Sequence, residues 1–158
     1  MGEAVAVTRL TDPARADELL TLAHRAFGAL DIDPPSGVLK ETAADFAARL
    51  ASETCFVIEQ GGRIVASVFC IRQGDALYIG RLAVAPDMRR RGLAGALVEA
   101  AKVEARRLGA KRMTLKVRIS LKDNVALFQR HGFVIVAEGT HAGYPAPTQY
   151  AMELVLAG

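Results

Sequence analysis

Residues 82–97 read Leu-Ala-Val-Ala-Pro-Asp-Met-Arg-Arg-Arg-Gly-Leu-Ala-Gly-Ala-Leu, and this stretch constrains the fold more than any other. It continues an apolar run from residue 77, which suits a strand. Pro86 ends that strand, because proline has no N–H for a sheet ladder. Arg89, Arg90 and Arg91 follow, then Gly92 and Gly95 among small residues. From Ala94 the apolar positions fall at 94, 97, 98, 101, 105 and 108, the spacing of a helix. A strand that leads through a basic turn into a helix with free N–H groups makes an anion site, and phosphate suits it best. The plainer reading is a basic surface turn at a helix start.

Two general phosphate motifs do not fit. There is no Gly-x-x-x-x-Gly-Lys-Ser/Thr loop, and Gly92 and Gly95 alone do not make Gly-x-Gly-x-x-Gly.

The length of 158 residues fits a single domain, 1–158, with a sizeable core. Apolar residues make up 51% and charged residues 23%, a globular balance. A net charge of +3 suits a polyanionic ligand and is too small for a dedicated nucleic-acid binder. Basic residues gather in the middle third, at 89–91, 106, 107, 111, 112, 116 and 118. Residues 1–10 lack the basic-then-apolar pattern of a signal peptide. The longest uncharged apolar run, 64–71, is too short to span a bilayer.

Gly61-Gly62 reads as a two-residue hairpin turn. That turn pairs Cys55 with Val68 and leaves Cys70 diagonal on the same face, Cα atoms roughly 7–8 Å apart. This is at or beyond disulfide reach, so both cysteines are expected as reduced core thiols in a cytoplasmic protein.

In chain order, 4–10 is a strand. Asp12-Pro13 caps a helix whose buried face is Ala16, Leu19, Leu20, Ala23, Phe27 and Leu30. His24 lies in it as a surface or capping residue. Residues 31–37 are a loop, and Leu39, Ala43, Phe46 and Leu50 mark a second helix ending near 52. Strands at 55–59, 63–71 and 77–85 form a meander. The third helix runs to about 108 with Gly109 beyond it. A strand at 111–117 then lies parallel to the fourth strand through a right-handed crossover. A helix at 120–131, a strand at 133–138, an irregular link at 139–147 and a strand at 149–156 complete the chain. The fold class is mixed α/β in the order β-α-α-β-β-β-α-β-α-β-β.

Arg89-x-x-Gly92-x-Ala94 after Val84-x-Pro86 resembles the acyl-CoA-binding segment of the GNAT acetyltransferases, Arg/Gln-x-x-Gly-x-Gly/Ala after a strand ending in Val-x-Pro. The element order is also similar over nearly the whole chain. The resemblance implies that the fourth and fifth strands splay apart and admit acetyl-CoA. The backbone of Leu82, Ala83 and Val84 would pair with its pantetheine arm, one N–H polarising the thioester carbonyl. The diphosphate would rest on the N–H groups of Arg89, Arg90, Arg91, Gly92, Leu93, Ala94 and Gly95. Arg90 and Arg91 are equally readable as solvated charges.

A second signature in the family is Asn…Ala-x-x-Leu-Tyr-x-x-x-Gly-Phe. Here Leu127-Phe128-Gln129-Arg130-His131-Gly132-Phe133 is similar at Leu127, Gly132 and Phe133. Leu121 occupies the usual asparagine position, and Asn124 is the available asparagine. Phe128 stands where the family often has the tyrosine that protonates the departing thiolate. It can pack on the cofactor but carries no proton. Arg130 either reaches the adenosine phosphate or sits on a solvated helix face.

Candidates for moving the reaction's protons are Tyr78, His131, Tyr144 and Tyr150, with His141 and Glu138 behind them. Their spacing singles out none. His131 also suits the last carbonyls of its helix, and Tyr144 a loop anchor.

The resemblance implies an acetyl-CoA-dependent N-acetyltransferase working by direct transfer, with no metal, nucleic acid or membrane partner. A small-molecule amine is the favoured acceptor, with a protein N-terminus as the alternative. A homodimer is left open. Two other classes stand beside this one. Phe128 supports an acyl-CoA-binding or sensing module with weak catalysis. The basic middle third would serve a nucleic-acid binder, but no aromatic stacking motif accompanies it.

Overall fold

In the computed structural model, which describes residues 5–156, the chain starts with a short strand, β1 (Thr8–Leu10). Ala4, the first residue of the expected strand, lies outside the described residues, and 5–7 are irregular. Asp12 starts the next element as its type implies, accepting from the Ala14 N–H at 2.9 Å with Pro13 in the first position. A 3-10 turn then becomes α1 (Ala16–Gly28). Its buried face is Ala16, Leu19, Leu22, Ala23 and Ala26. Leu22 and Ala26 thus replace the expected Leu20 and Phe27, which are half-buried at the edge of the face.

Helix α2 (Ala43–Ser52) opens on a capping box. The Thr42 N–H donates to Asp45 Oδ2 at 2.8 Å and the Asp45 N–H to Thr42 Oγ1 at 3.3 Å. Leu39, expected on this helix's buried face, lies instead in the 3-10 turn Gly37–Lys40 and is exposed. His24 Nε2 contacts the Val38 carbonyl at 3.1 Å, which ties α1 to that turn.

The remaining elements are β2 (Thr54–Gln60), β3 (Arg63–Gln73), β4 (Ala76–Val84), α3 (Leu93–Arg107), β5 (Arg112–Arg118), α4 (Lys122–Arg130), β6 (Val134–Gly139) and β7 (Gln149–Val155). The element order is the expected one. The seven strands form one sheet in the order β1-β2-β3-β4-β5-β7-β6, antiparallel except for β4–β5. Every residue of β3 from Ile64 to Cys70 is buried, so helices cover both faces. α1 packs on β3 and β4, with α2 beside it, and α3 packs on β2 through β5.

Two irregularities correct the simple registers. Ile58 opposes Ala66 but Glu59 opposes Ile64, so Val65 is an extra residue. The bulge puts Cys55 opposite Phe69 instead of Val68 and Cys70 opposite Thr54. The two cysteines therefore lie on opposite faces. Both are free and buried, and burial pushes each thiol up to about 12. In β4 a second bulge sets Arg81 and Leu82 together opposite Val68, with Arg81 at φ 55.

β4 and β5 pair only at Ala76–Arg112, Leu77–Met113 and Tyr78–Thr114. Beyond Tyr78 they part, as expected. β5 stays paired with β7 along its whole length, while β4 from Ile79 to Val84 presents an edge that no strand on that side fills.

Candidate active site

Beside the unpaired end of β4 lies a cleft of about 720 Å³. Leu82 and Val84 face it, while Ala83 between them is buried on the other side of the strand. The start of α3 forms the floor. Gly92 is its N-terminal flanking residue at φ 77, a left-handed backbone that a side chain would strain. Arg90 is left-handed too, at φ 64. No side chain caps α3, so its first N–H groups remain available beside Arg89 and Arg90.

Ala94 and Gly95 continue the floor, and Asn124, Leu127 and Arg130 of α4 form the far wall. Leu93 contributes although it is largely buried. The structure therefore brings together Leu82, Val84, Arg89, Arg90, Gly92, Leu93, Ala94, Gly95, Asn124 and Arg130.

Three expected cofactor residues stand apart from this lining. Ala83 points into the core, Arg91 is exposed outside the cleft, and Phe128 is 6% exposed and stacked edge-on against Phe133. Arg89 carries a second duty. Its Nη2 donates to the Ala26 carbonyl at 3.0 Å, tying the basic turn to the end of α1.

The proton-handling candidates scatter. The His131 ring does not meet its own helix's carbonyls. Its Nδ1 pairs with Glu99 Oε2 at 2.7 Å and its other edge lies against Gly95, which clamps α4 to α3. The Tyr144 hydroxyl donates to Asp33, fastening the 139–147 link to the 31–37 loop, and this bond pushes the phenol up. His141, in the same link, bonds Thr148 just beyond it. Tyr150 is half-buried against the core, opposite Glu138 on β6. None of these lines that cleft.

Tyr78 stands at the last β4–β5 pair and lines a second cavity of about 500 Å³. Its ring lies back over Gly80, where an added Cβ would meet Cε1 at 3.0 Å and push the ring aside by a few tenths of an ångström. Burial pushes this phenol up, outweighing the opposing pull of Arg81 and Arg49, and it stays protonated near neutrality.

The second cavity also draws Arg81 from β4, Arg49 and Glu53 from the end of α2, and Lys116 from β5, none of them foreseen. Arg81 was the visible signal, a charge inside an apolar strand. Glu41 receives its Nε at 2.7 Å and Nη2 at 3.1 Å and also pairs with Arg49. Arg49 Nη1 donates to Glu53 at 3.1 Å. Burial opposes ionisation of Glu41, but the two arginines outweigh it and hold the carboxyl below the usual range. Among the described residues, no group of three or more His, Cys, Asp or Glu is placed to hold a metal, and no helix is long and apolar enough to cross a membrane.

The profile of the acetyltransferase (GNAT) family matches residues 16–133. No protein of curated function matches the chain. A GNAT-family acetyltransferase from Streptococcus pneumoniae superposes with a TM-score of 0.79 at 20% identity, covering 96% of this chain and 100% of that one. The ribosomal-protein-S18-alanine N-acetyltransferase from Escherichia coli gives 0.77 at 24% identity, with 97% of both chains covered. The PaiA N-acetyltransferase from Thermoplasma acidophilum, solved in complex with coenzyme A, gives 0.81 at 9% identity, covering 96% and 99%.

Proposed function

The chain belongs to the GNAT family of acetyltransferases, and from that premise we propose that it transfers an acetyl group from acetyl-CoA directly to the amine of a small molecule. The observation that carries this is the uncapped start of α3 at the floor of a cleft that the unpaired end of β4 also lines. Ligand sites of this kind run to about 300–1,000 Å³, and the cleft falls within that range.

The first-turn N–H groups of α3, with Arg89 and Arg90 beside them, are suited to hold the diphosphate. Arg130 and Asn124 face the same cleft and suit the adenosine end. The free edge of β4 offers the pantetheine arm a strand partner. Bound there, acetyl-CoA would supply an activated acetyl thioester.

The second cavity is the acceptor's side in this reading. Tyr78 holds a proton that it can donate, and Glu53 is the lining carboxylate that can take one. Tyr78 would thus do the work for which Phe128 has no hydroxyl.

A cytoplasmic setting is part of the same reading, supported by two free, buried thiols. A second copy of the chain has a surface to suit it, because β6 is an edge strand with Val134, Ile135 and Val136 all exposed.

The test is thiol release from acetyl-CoA across a panel of amines and N-terminal peptides. Turnover with small amines supports the proposal, and turnover with peptides alone replaces the acceptor. A melting shift with acetyl-CoA but no turnover at all would favour the sensing module that Phe128 allows.

A further inference from the structure

We propose that the second cavity selects an acceptor that carries a carboxylate as well as its amine, and that Arg49, Arg81 and Lys116 bind that carboxylate. This rests on the transferase reading above and names its substrate class.

The charge balance comes first. Three cationic side chains line the cavity against one carboxylate, Glu53. Glu41, which bridges Arg49 and Arg81 from outside the lining, still leaves the group net positive. An amine arrives from neutral water mostly as a cation. A positive cavity repels it unless it brings an anion of its own.

Donor capacity is also left over. Arg49 Nε is buried with no hydrogen-bond partner among the described residues. A buried donor without a partner costs free energy, and a ligand oxygen would recover it. Arg81 spends Nε and Nη2 on Glu41, while its Nη1 makes no bond among the described residues. Lys116 forms no ion pair among them either. Planar guanidinium groups with spare N–H donors match the geometry of a carboxylate.

Phe69, Ile71, Leu115, Ala151 and Met152 give the lining an apolar share beside the polar Gln73, Tyr78 and Thr114. The acceptor therefore joins amine and carboxylate to an apolar body, the chemistry of an apolar amino acid. A cationic peptide N-terminus is the acceptor that this cavity opposes.

The experiment measures kcat/KM by thiol release from acetyl-CoA with leucine, methionine and 4-aminobutyrate, each beside its amide, together with phenethylamine, spermidine and a basic peptide. Amide amines are less basic and more often deprotonated, a bias against the expected result. The expected result is at least about tenfold preference for the carboxylates, weakened by added salt. Lys116→Met should cut that preference several-fold and Lys116→Arg should restore it, with the acetyl-CoA KM as internal control. Equal or better use of the amides, or spermidine or the basic peptide as best acceptor, overturns the inference and leaves the transferase reading standing. Binding of acetyl-CoA with no release to any carboxylated amine also overturns it. Failure to bind acetyl-CoA would instead remove the transferase reading itself.

Discussion

The Phe128 ring meets Phe133 edge-on, with centroids 6.0 Å apart and planes at 68°. Both rings are buried, so α4 is pinned to the residue that leads into β6 by the side chain that family resemblance would aim at the thioester. Phe128→Ala should therefore cost about 3–5 kcal/mol of stability and leave acetyl-CoA affinity within about twofold. Phe128→Tyr buries a hydroxyl that must find a partner, and kcat should not rise. Chemical denaturation with calorimetric titration checks the first, steady-state kinetics the second. A tenfold gain in kcat for the tyrosine variant would place the ring at the reacting atoms after all.

Gly92 tests the anion site. Gly92→Glu puts a negative charge at the start of α3 and should abolish the melting shift that acetyl-CoA produces by linkage. Gly92→Asn, which tolerates a left-handed backbone, separates strain from charge and should keep most of the shift. An undiminished shift in the folded glutamate variant would move the diphosphate elsewhere.

Arg89 lines the proposed anion site and also donates to the Ala26 carbonyl. Arg89→Ala should weaken acetyl-CoA binding and also lower the melting temperature of the free protein by about 2–4 °C, the effect of roughly 1 kcal/mol in a domain this size. A change in binding alone would mean that the α1 contact contributes nothing.

Stability should fall in acid through Glu41. Its arginine partners hold the folded carboxyl below its unfolded value against the opposing effect of burial. Such a group stabilises the fold above its unfolded value and stops doing so as pH falls through the folded one. The melting temperature should be flat between about pH 6 and 8 and drop below about pH 4.5. Glu18, held low by the Ile64 N–H and Arg15 despite burial, adds to the same slope. Glu41→Gln should be less stable at neutral pH, because two arginines lose their partner, and shallower in acid. Equal acid slopes in the two proteins would refute the assignment.

Tyr144→Phe removes the bond to Asp33 that fastens the 139–147 link over the 31–37 loop. Loops on a rigid sheet carry specificity, so the acceptor KM should rise about two- to fivefold with the acetyl-CoA KM unchanged. The reverse pattern would put the link beside the cofactor.

The sequence by itself determined the element order and the basic turn that leads into α3. The reason is local: Pro86, the arginines, Gly92 and the helical spacing from Ala94 act on a few consecutive residues. No neighbour elsewhere in the chain is needed to end that strand or start that helix. It offered Asn124 and Arg130 only through the family signature, with a solvated helix face as the equal alternative for Arg130, and the fold brings both to the cleft.

Only the tertiary structure decided where Phe128 points, since apolar spacing marks a buried face without saying whether core or cofactor covers it. Only it decided the registers, because an extra residue at Val65 or Arg81 is accommodated according to what packs on each face of the sheet. The second cavity belongs to the same class. Glu41 and Arg49 belong to one segment at α2, while Arg81 and Lys116 come from two separate strands. Glu41 and the two arginines acquire partners, and one buried N–H loses any, only when the sheet folds and excludes the water that would otherwise satisfy each alone.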